Sequence, residues 1–374
     1  MAADIGELIA GTREGRPRAV ARLISLIERA AAVSAPAPGL VRGPAPGSVS
    51  GPAPGPVRGL VPGEVRGPVS GPVRRHEPGP GAGEAAAETL RRVMAELAVP
   101  VPGGRKPYSA RIIGLTGSPG VGKSTTTSML IGELRRRGMR VGVLAVDPSS
   151  PFTGGALLGD RVRMQEHATD PDVFIRSMAS RGHLGGLAWA TPQALRVLDA
   201  AGCEVILVET VGVGQAEVDI AGLADTTIVL LAPGMGDGVQ AAKAGILEIG
   251  DVLVVNKADR DGAQATVREL RTMVALGNAA WRPPIVTTVA NRGEGAAELV
   301  EALDKHLAYL AESGDLERRR RARARDEIEA IAVASLRSRL ARVHGDARLD
   351  ALAGRVLDGR IDPYTAAAEL IADI

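Results

Sequence analysis

Cysteine is nearly absent from this chain of 374 residues: Cys203 stands alone. No intrachain disulfide and no multi-cysteine zinc or iron–sulfur centre is therefore available, and the usage fits a reducing compartment. Aromatic residues are almost as scarce, with two Phe, three Tyr and two Trp. So few rings argue against a nucleic-acid binder that stacks bases on aromatic platforms. Lysine is the third scarcity, with Lys106, Lys123, Lys243, Lys257 and Lys305 beside forty arginines. Any motif that uses a lysine is correspondingly informative.

Long apolar runs are missing too. No stretch of about 18 uncharged apolar residues occurs, and the N-terminus carries acidic residues without a signal-peptide core. The expectation is a soluble, cytoplasmic protein with no membrane partner. A net charge of +2 gives no whole-molecule attraction to nucleic acid or anionic lipid. With 45% hydrophobic and 24% charged residues the chain can bury a sizeable core, and its length makes more than one compact domain the expectation.

Five regions follow from the patterning. Residues 1–34 contain an amphipathic helix over 17–33, where Val20, Leu23, Ile24 and Ile27 recur at helical spacing. Residues 35–83 place a glycine at every fourth position from Gly39 to Gly71, with prolines between, a composition that forms neither helix nor sheet. This reads as a mobile spacer, with a proline-rich docking segment as the alternative. Residues 84–108 resume a helical pattern. From 109 to 310, short β-branched runs alternate with helical stretches, which predicts an α/β domain whose mainly parallel sheet is covered on both faces. Residues 311–374 are helical and carry six arginines between Arg318 and Arg325, close to Asp326, Glu327 and Glu329. A charged helix face supported by those acids is the commoner reading of such a run, a nucleic-acid patch the rarer one.

Chemistry concentrates in the α/β region. Gly117-Ser118-Pro119-Gly120-Val121-Gly122-Lys123-Ser124 satisfies the phosphate-loop pattern, directly after the apolar run Ile112–Leu115 and before a helical segment. Glycines let backbone N–H groups face phosphate oxygens, and the helix N-terminus adds a favourable dipole. Lys123 would neutralise the β and γ phosphates and Ser124 would hold Mg²⁺, with Thr125 completing the nucleotide-binding run. Asn256-Lys257-Ala258-Asp259 follows a strand and selects the base. Guanine offers N1–H and a 2-amino group that the Asp259 carboxylate accepts together, whereas adenine lacks that pair. Asn256 would face the O6 and N7 edge, and the Lys257 stem would cover the ring.

Three carboxylates are candidates for the metal shell: Asp147 at a strand end, Asp160 in a loop, and Glu209 before Thr210-Val211-Gly212. Gly212 would offer its N–H to the γ-phosphate, making residues 209–212 a switch. Lys123, Asp147 and Glu209 form the expected catalytic set. Gln215 resembles a water-positioning glutamine by type alone.

The stretches GLTGSPGVGKST, LAVDPSSPFTGGALLGDRVRM, RSMASRGHLGGLA, VETVGVGQAEVD and VVNKAD resemble the MeaB/ArgK GTPases, the group that includes the methylmalonic aciduria type A protein. The resemblance covers the helix around ARLISLIE and residues 84–374. It implies a SIMIBI-class P-loop domain flanked by helical extensions, the C-terminal one an arm for homodimerisation. It also implies a GTP hydrolase that binds an adenosylcobalamin-dependent acyl-CoA mutase, gates cofactor loading and protects the enzyme. In the family, positions matching Lys123, Ser124, Asp147, Asp160 and Glu209 surround the phosphates and magnesium. The resemblance further implies that Val289, Ala290 and Asn291 close over the base, with one departure: the family usually carries Ser-Ala where this chain has Val289-Ala290.

Two other activities share parts of this pattern. A nickel-delivery GTPase needs clustered His or Cys, and His76, His167, His183, His306 and His344 are scattered singly. An ATP-dependent kinase of a transport system conflicts with Asp259. A non-catalytic GTP-binding adaptor would differ in turnover.

Overall fold

The computed structural model describes residues 2–34, 82–147, 164–179, 189–210, 216–234, 247–277 and 279–372. Seven strands, β1 (Arg111–Thr116), β2 (Val141–Asp147), β3 (Val173–Ala179), β4 (Val205–Thr210), β5 (Thr226–Leu231), β6 (Val252–Asn256) and β7 (Ile285–Thr288), form one sheet in the order β3-β2-β4-β1-β5-β6-β7. Every pairing is parallel. The mainly parallel sheet expected from the patterning is thus parallel throughout, and its strand ends line up along one edge.

The β-branched strands alternate between two cores. Leu144, Val146, Ile206 and Val208 face one layer, while Val143, Ala145, Val205 and Leu207 face the other. The first layer includes helices α1 (Ala2–Arg13), α2 (Pro17–Ser34) and α3 (Ala82–Ala98), together with α5 (Thr191–Ala200) and α6 (Ala216–Leu223). The second is built on α4 (Lys123–Arg136) and α8 (Ala296–Glu312), and α7 (Ala263–Leu276) covers the β5–β6 end.

The amphipathic helix expected over 17–33 is α2, and a second helix, α1, precedes it. Leu23, Ile24 and Ile27 of α2 are fully buried within the first core. Each contributes roughly 1.5 to 3 kcal/mol by burial. Arg176 of β3 pairs with Glu28 of α2, and Arg13 of α1 donates to the Glu96 carbonyl of α3 at 2.7 Å. The N-terminal helices are therefore fastened to the sheet domain. The repetitive segment expected as a spacer lies, apart from its last two residues, outside the described residues.

A 43-residue helix, α9 (Asp315–Leu357), follows α8, and α10 (Pro363–Ile371) folds back on it through Arg355 and Glu369, 2.6 Å apart. The arginine run lies on α9. Arg318 and Arg321 pair with Asp315 and Glu317 of their own helix. Arg319, Arg320 and Arg323 instead reach acids far away in sequence. Arg320 and Arg323 both bind Asp225, and Arg319 holds Asp251 through two bonds of 2.9 Å. Support from neighbouring acids on the same helix was the expectation, but for these three arginines the partners precede β5 and β6. Glu327 is itself taken by Arg196 of α5.

Candidate nucleotide site

Strand β1 ends at Thr116 between β4 and β5, and the chain turns through Gly117–Gly122 into α4. This turn demands glycine at two places. Gly117 has φ 139°, and a Cβ there would lie 2.3 Å from the Leu230 carbonyl oxygen of β5. Gly122 has φ 97°, and a Cβ there would lie 2.4 Å from Asn256 Nδ2. L-residues rarely adopt such backbone angles. The loop thus hugs two strand ends, and the first N–H groups of α4 face the same edge of the sheet.

Lys123 and Ser124 open α4 and are buried, at 7% and 5% exposure. Lys123 Nζ donates to the carbonyls of Gly117 at 2.6 Å and Ser118 at 3.3 Å, so the ammonium lies curled within the loop. Ser124 Oγ donates to Glu209 Oε1 at 2.6 Å, and Thr127 Oγ1 donates to Glu209 Oε2 at 3.0 Å. Glu209 reaches this place because β4 pairs with β1 in a register that sets it beside Leu115. Thr127, one turn beyond Lys123, was not singled out from sequence. Its weak signal is a hydroxyl on the face of α4 that carries Ser124.

A hydroxyl and a carboxylate, both hard oxygen donors at the loop's edge, fit Mg²⁺. Asp147 ends β2, adjacent to β4 on the side away from β1, so its backbone stands at the same edge of the sheet. The Asp147 side chain, Asp160, Gly212 and Gln215 lie outside the described residues.

The base-selecting segment begins at the end of β6. Asn256 is 2% exposed and joins three pieces of chain. Its Nδ2 donates to the Val121 carbonyl at 2.8 Å, and its Oδ1 accepts from Thr288 Oγ1 at 3.1 Å and from Ala290 N–H at 3.2 Å. The expected contact of Asn256 with the O6 and N7 edge is therefore narrowed, since only one N–H of its amide has no bond here. Its main work is to brace the phosphate loop against the segment after β7. Thr288 was missed from sequence because its partner lies 32 residues upstream.

Lys257 has φ 58°, a left-handed conformation that costs a non-glycine residue energy, and its Nζ donates to the Gly120 carbonyl at 2.7 Å. Its stem thus spans from β6 toward the phosphate loop, as a cover over a base would. Asp259 is partly exposed and lies 3.6 Å from Arg292, a third residue the sequence did not flag. Val289 and Ala290 are buried at the start of a 3₁₀ turn that includes Asn291. Ala290 N–H already serves Asn256. The fold brings together the phosphate loop, Glu209, Asn256, Lys257, Asp259 and residues 289–291, although these span more than 170 positions of chain.

Among the described histidines, His167 sits 3.0 Å from Ser128 Oγ, while His306 is fully buried between Thr226 at 2.8 Å and Asp251 at 3.2 Å. They belong to separate networks. No helix among the described residues is long and apolar enough to cross a membrane.

Comparison with known proteins places these features in a family. A model described as methylmalonyl-CoA mutase-associated GTPase MeaB matches residues 84–344. A protein of Pyrococcus abyssi named as a GTPase is 48% identical over 296 residues, covering 78% of this chain and 88% of its own. The mitochondrial methylmalonic aciduria type A homolog of Caenorhabditis elegans is 40% identical over 215 residues, 56% of this chain and 54% of that protein. The crystal structure of a LAO/AO transport system kinase superposes with a TM-score of 0.61 at 22% identity, covering 99% of this chain and 97% of that one. That likeness shows the fold alone, a parallel sheet with helices on both faces.

Proposed function

This chain belongs to the MeaB family of methylmalonyl-CoA mutase-associated GTPases, and from that premise we propose that it hydrolyses GTP in the service of an adenosylcobalamin-dependent acyl-CoA mutase. Methylmalonyl-CoA mutase is the proposed client. In this reading the nucleotide state sets the affinity for the mutase, gates cofactor loading and protects the loaded enzyme. The observation that carries the GTPase part is the joining of the phosphate loop to the base-selecting segment through Asn256.

The steps follow from the side chains. Incoming GTP places its phosphates in the Gly117–Gly122 turn, and Lys123 exchanges the Gly117 and Ser118 carbonyls for β- and γ-phosphate oxygens. Ser124 and Glu209, with Asp147 and Asp160 as further candidates, would hold Mg²⁺, which supplies charge neutralisation across the β- and γ-phosphates. Asp259 leaves Arg292 and accepts from N1–H and the 2-amino group of guanine. Water oxygen then bonds to the γ-phosphorus while the bridging bond to the β-phosphate breaks, giving GDP and phosphate. In this reading intrinsic turnover is slow and the mutase completes the hydrolytic site. Accelerating partners elsewhere give ~10³ to 10⁵.

The helical arm fits a homodimer. Ile328, Ile331, Val333 and Leu336 of α9 are exposed, at 67%, 44%, 40% and 51%, and such apolar surface is commonly covered by a partner. The decisive experiment is co-purification of the full chain with methylmalonyl-CoA mutase in GTP, GDP or no nucleotide, followed by GTP turnover with and without the mutase. Nucleotide-dependent capture with accelerated turnover supports the proposal. Turnover that ignores the mutase, with no capture in any state, rejects it.

A further inference from the structure

A second cavity lies away from the phosphate loop, toward the beginnings of β1 and β4. It encloses about 670 Å³ between α5, α6 and α9, within the range of small-molecule sites. Its walls are chiefly apolar, with Ile112, Trp189, Leu195, Ile206, Leu223 and Ile331 among the lining.

The polar groups of this cavity define the ligand. Four arginines line it, and all four are paired: Arg196 with Glu327, Arg320 and Arg323 with Asp225, and Arg321 with Glu317. None is left over for an anion. Asp199 is occupied as well, accepting from the N–H groups of Tyr108, Ser109 and Ala110 at 2.6 to 3.1 Å. The acceptors without partners are different residues. Gln193 is 6% exposed and its Oε1 has no hydrogen-bond partner, and Asp219 Oδ2 is shielded from solvent with none either. Both line the cavity. An unpaired buried acceptor is costly, and a donor supplied from outside would recover that cost. Burial pushes the Asp219 carboxyl above its usual range, favouring its neutral form until a cation pairs with it.

We propose that this cavity binds a small molecule with an apolar body and a positively charged, hydrogen-bond-donating amine, the amine satisfying Asp219 and Gln193. The ligand would also touch both sides of the contact by which Arg323 donates to the Leu223 carbonyl. Its binding therefore strengthens the seating of α9 on α6. None of the phosphate-loop or base-selecting residues lines this cavity.

The test uses the full chain and three eight-carbon probes below their micelle concentrations: octylammonium, octanol and octanoate. Trp189 lines the cavity and reports by its emission; Trp189→Phe, which leaves Trp281 in place, identifies the signal. Calorimetry on the same samples gives affinity without fluorescence. The expected result is saturable binding of octylammonium roughly tenfold tighter than octanol, with octanoate weakest, since one charge-assisted bond is worth about that factor. Asp219→Asn should bring octylammonium down to the level of octanol. Ala330→Phe, at an exposed lining position that tolerates a larger side chain, should abolish binding of all three. Circular dichroism confirms that each variant is folded. Equal affinity for the three probes, an undiminished octylammonium preference in folded Asp219→Asn, or no saturable binding overturns the proposal.

Discussion

Arg320 of α9 and Asp225, which precedes β5, are 95 residues apart in sequence and joined by two hydrogen bonds of 2.7 and 3.1 Å. Asp225 is 1% exposed and also accepts from Arg323 and from the Ile112 N–H. Arg320 meanwhile donates to the carbonyls of Tyr108 and Ala110. One carboxylate thus ties the helical arm to the beginnings of β1 and β5. An arginine run that could pass for a nucleic-acid patch is in large part a fastening between two regions of one chain.

Removing that carboxylate should be costly. Asp225→Asn leaves the two guanidinium groups facing a neutral amide and is expected to destabilise the chain by about 3 to 5 kcal/mol, the range for breaking one side of a buried pair. Denaturant unfolding measures the loss. An effect below about 1 kcal/mol would show that the clamp is solvated in solution.

Acid should undo the same contacts. Burial raises the Asp225 carboxyl, but the Arg320 bond and the Arg323 charge outweigh it and hold the group below its usual range. Asp251 is likewise raised by burial and brought below normal by His306 and Arg319. Carboxylates with depressed folded-state values contribute stability that is fully present above the unfolded value near ~4. That contribution disappears as pH falls through the folded values. Thermal melting between neutral pH and about pH 3 should therefore drop more steeply for the native chain than for Asp225→Asn, whose remaining pH dependence lacks this carboxylate.

Base choice depends on Asp259. Asp259→Asn replaces an acceptor pair with a group that also donates, so GTP affinity should fall by at least ~10² while a xanthosine triphosphate, with a carbonyl at the 2-position, gains. Competition binding reads both. Unchanged preference for guanine would remove Asp259 from the base pocket.

The metal shell can be probed at Glu209. Glu209→Gln keeps the size of the side chain but loses its charge, and the magnesium concentration for half-maximal turnover should rise ~10- to 100-fold, the usual effect of altering groups around a metal site. Thr127→Ala removes the 3.0 Å bond that orients Glu209, together with a 3.1 Å bond to the Lys123 carbonyl within α4, but leaves the carboxylate in place, so it should produce a smaller shift in the same direction. A magnesium titration that moves in neither variant argues for Asp147 and Asp160 as the whole acidic shell.

Gly122→Ala tests the joint between loop and base segment. The added Cβ would collide with Asn256 Nδ2 and force φ 97° on an L-residue. Guanine nucleotide binding should be lost while the chain keeps its fold, since the change touches one core only at its edge, beside Val121, and leaves the other untouched. Equilibrium dialysis together with circular dichroism separates the two effects.

Much was legible before any coordinates. The phosphate loop and Asn256–Asp259 are contiguous motifs whose chemistry resides in local backbone shape, and six of the seven strands fall within the β-branched or apolar runs that announce them, β3 overrunning its own by Ala179 alone. Thr127, Thr288 and Arg292 were not legible, because each matters only through a partner 32 to 82 residues away. Helix α1 also escaped, its mixture of small and apolar residues giving a weaker periodicity than that of α2.

By itself, the sequence determined the chemistry on offer: a single lysine poised to meet phosphate, a carboxylate able to choose guanine, and strands apolar enough to be buried on both faces. These properties depend on side-chain type and on spacing within a few residues, and folding does not alter them. Which groups meet was decided only in three dimensions. Parallel pairing of β4 with β1 carries Glu209 to Ser124, and the packing of α9 carries Arg320 to Asp225. The energy of such contacts arises when water is excluded between segments distant in the chain, and that exclusion exists only once the whole sheet has closed.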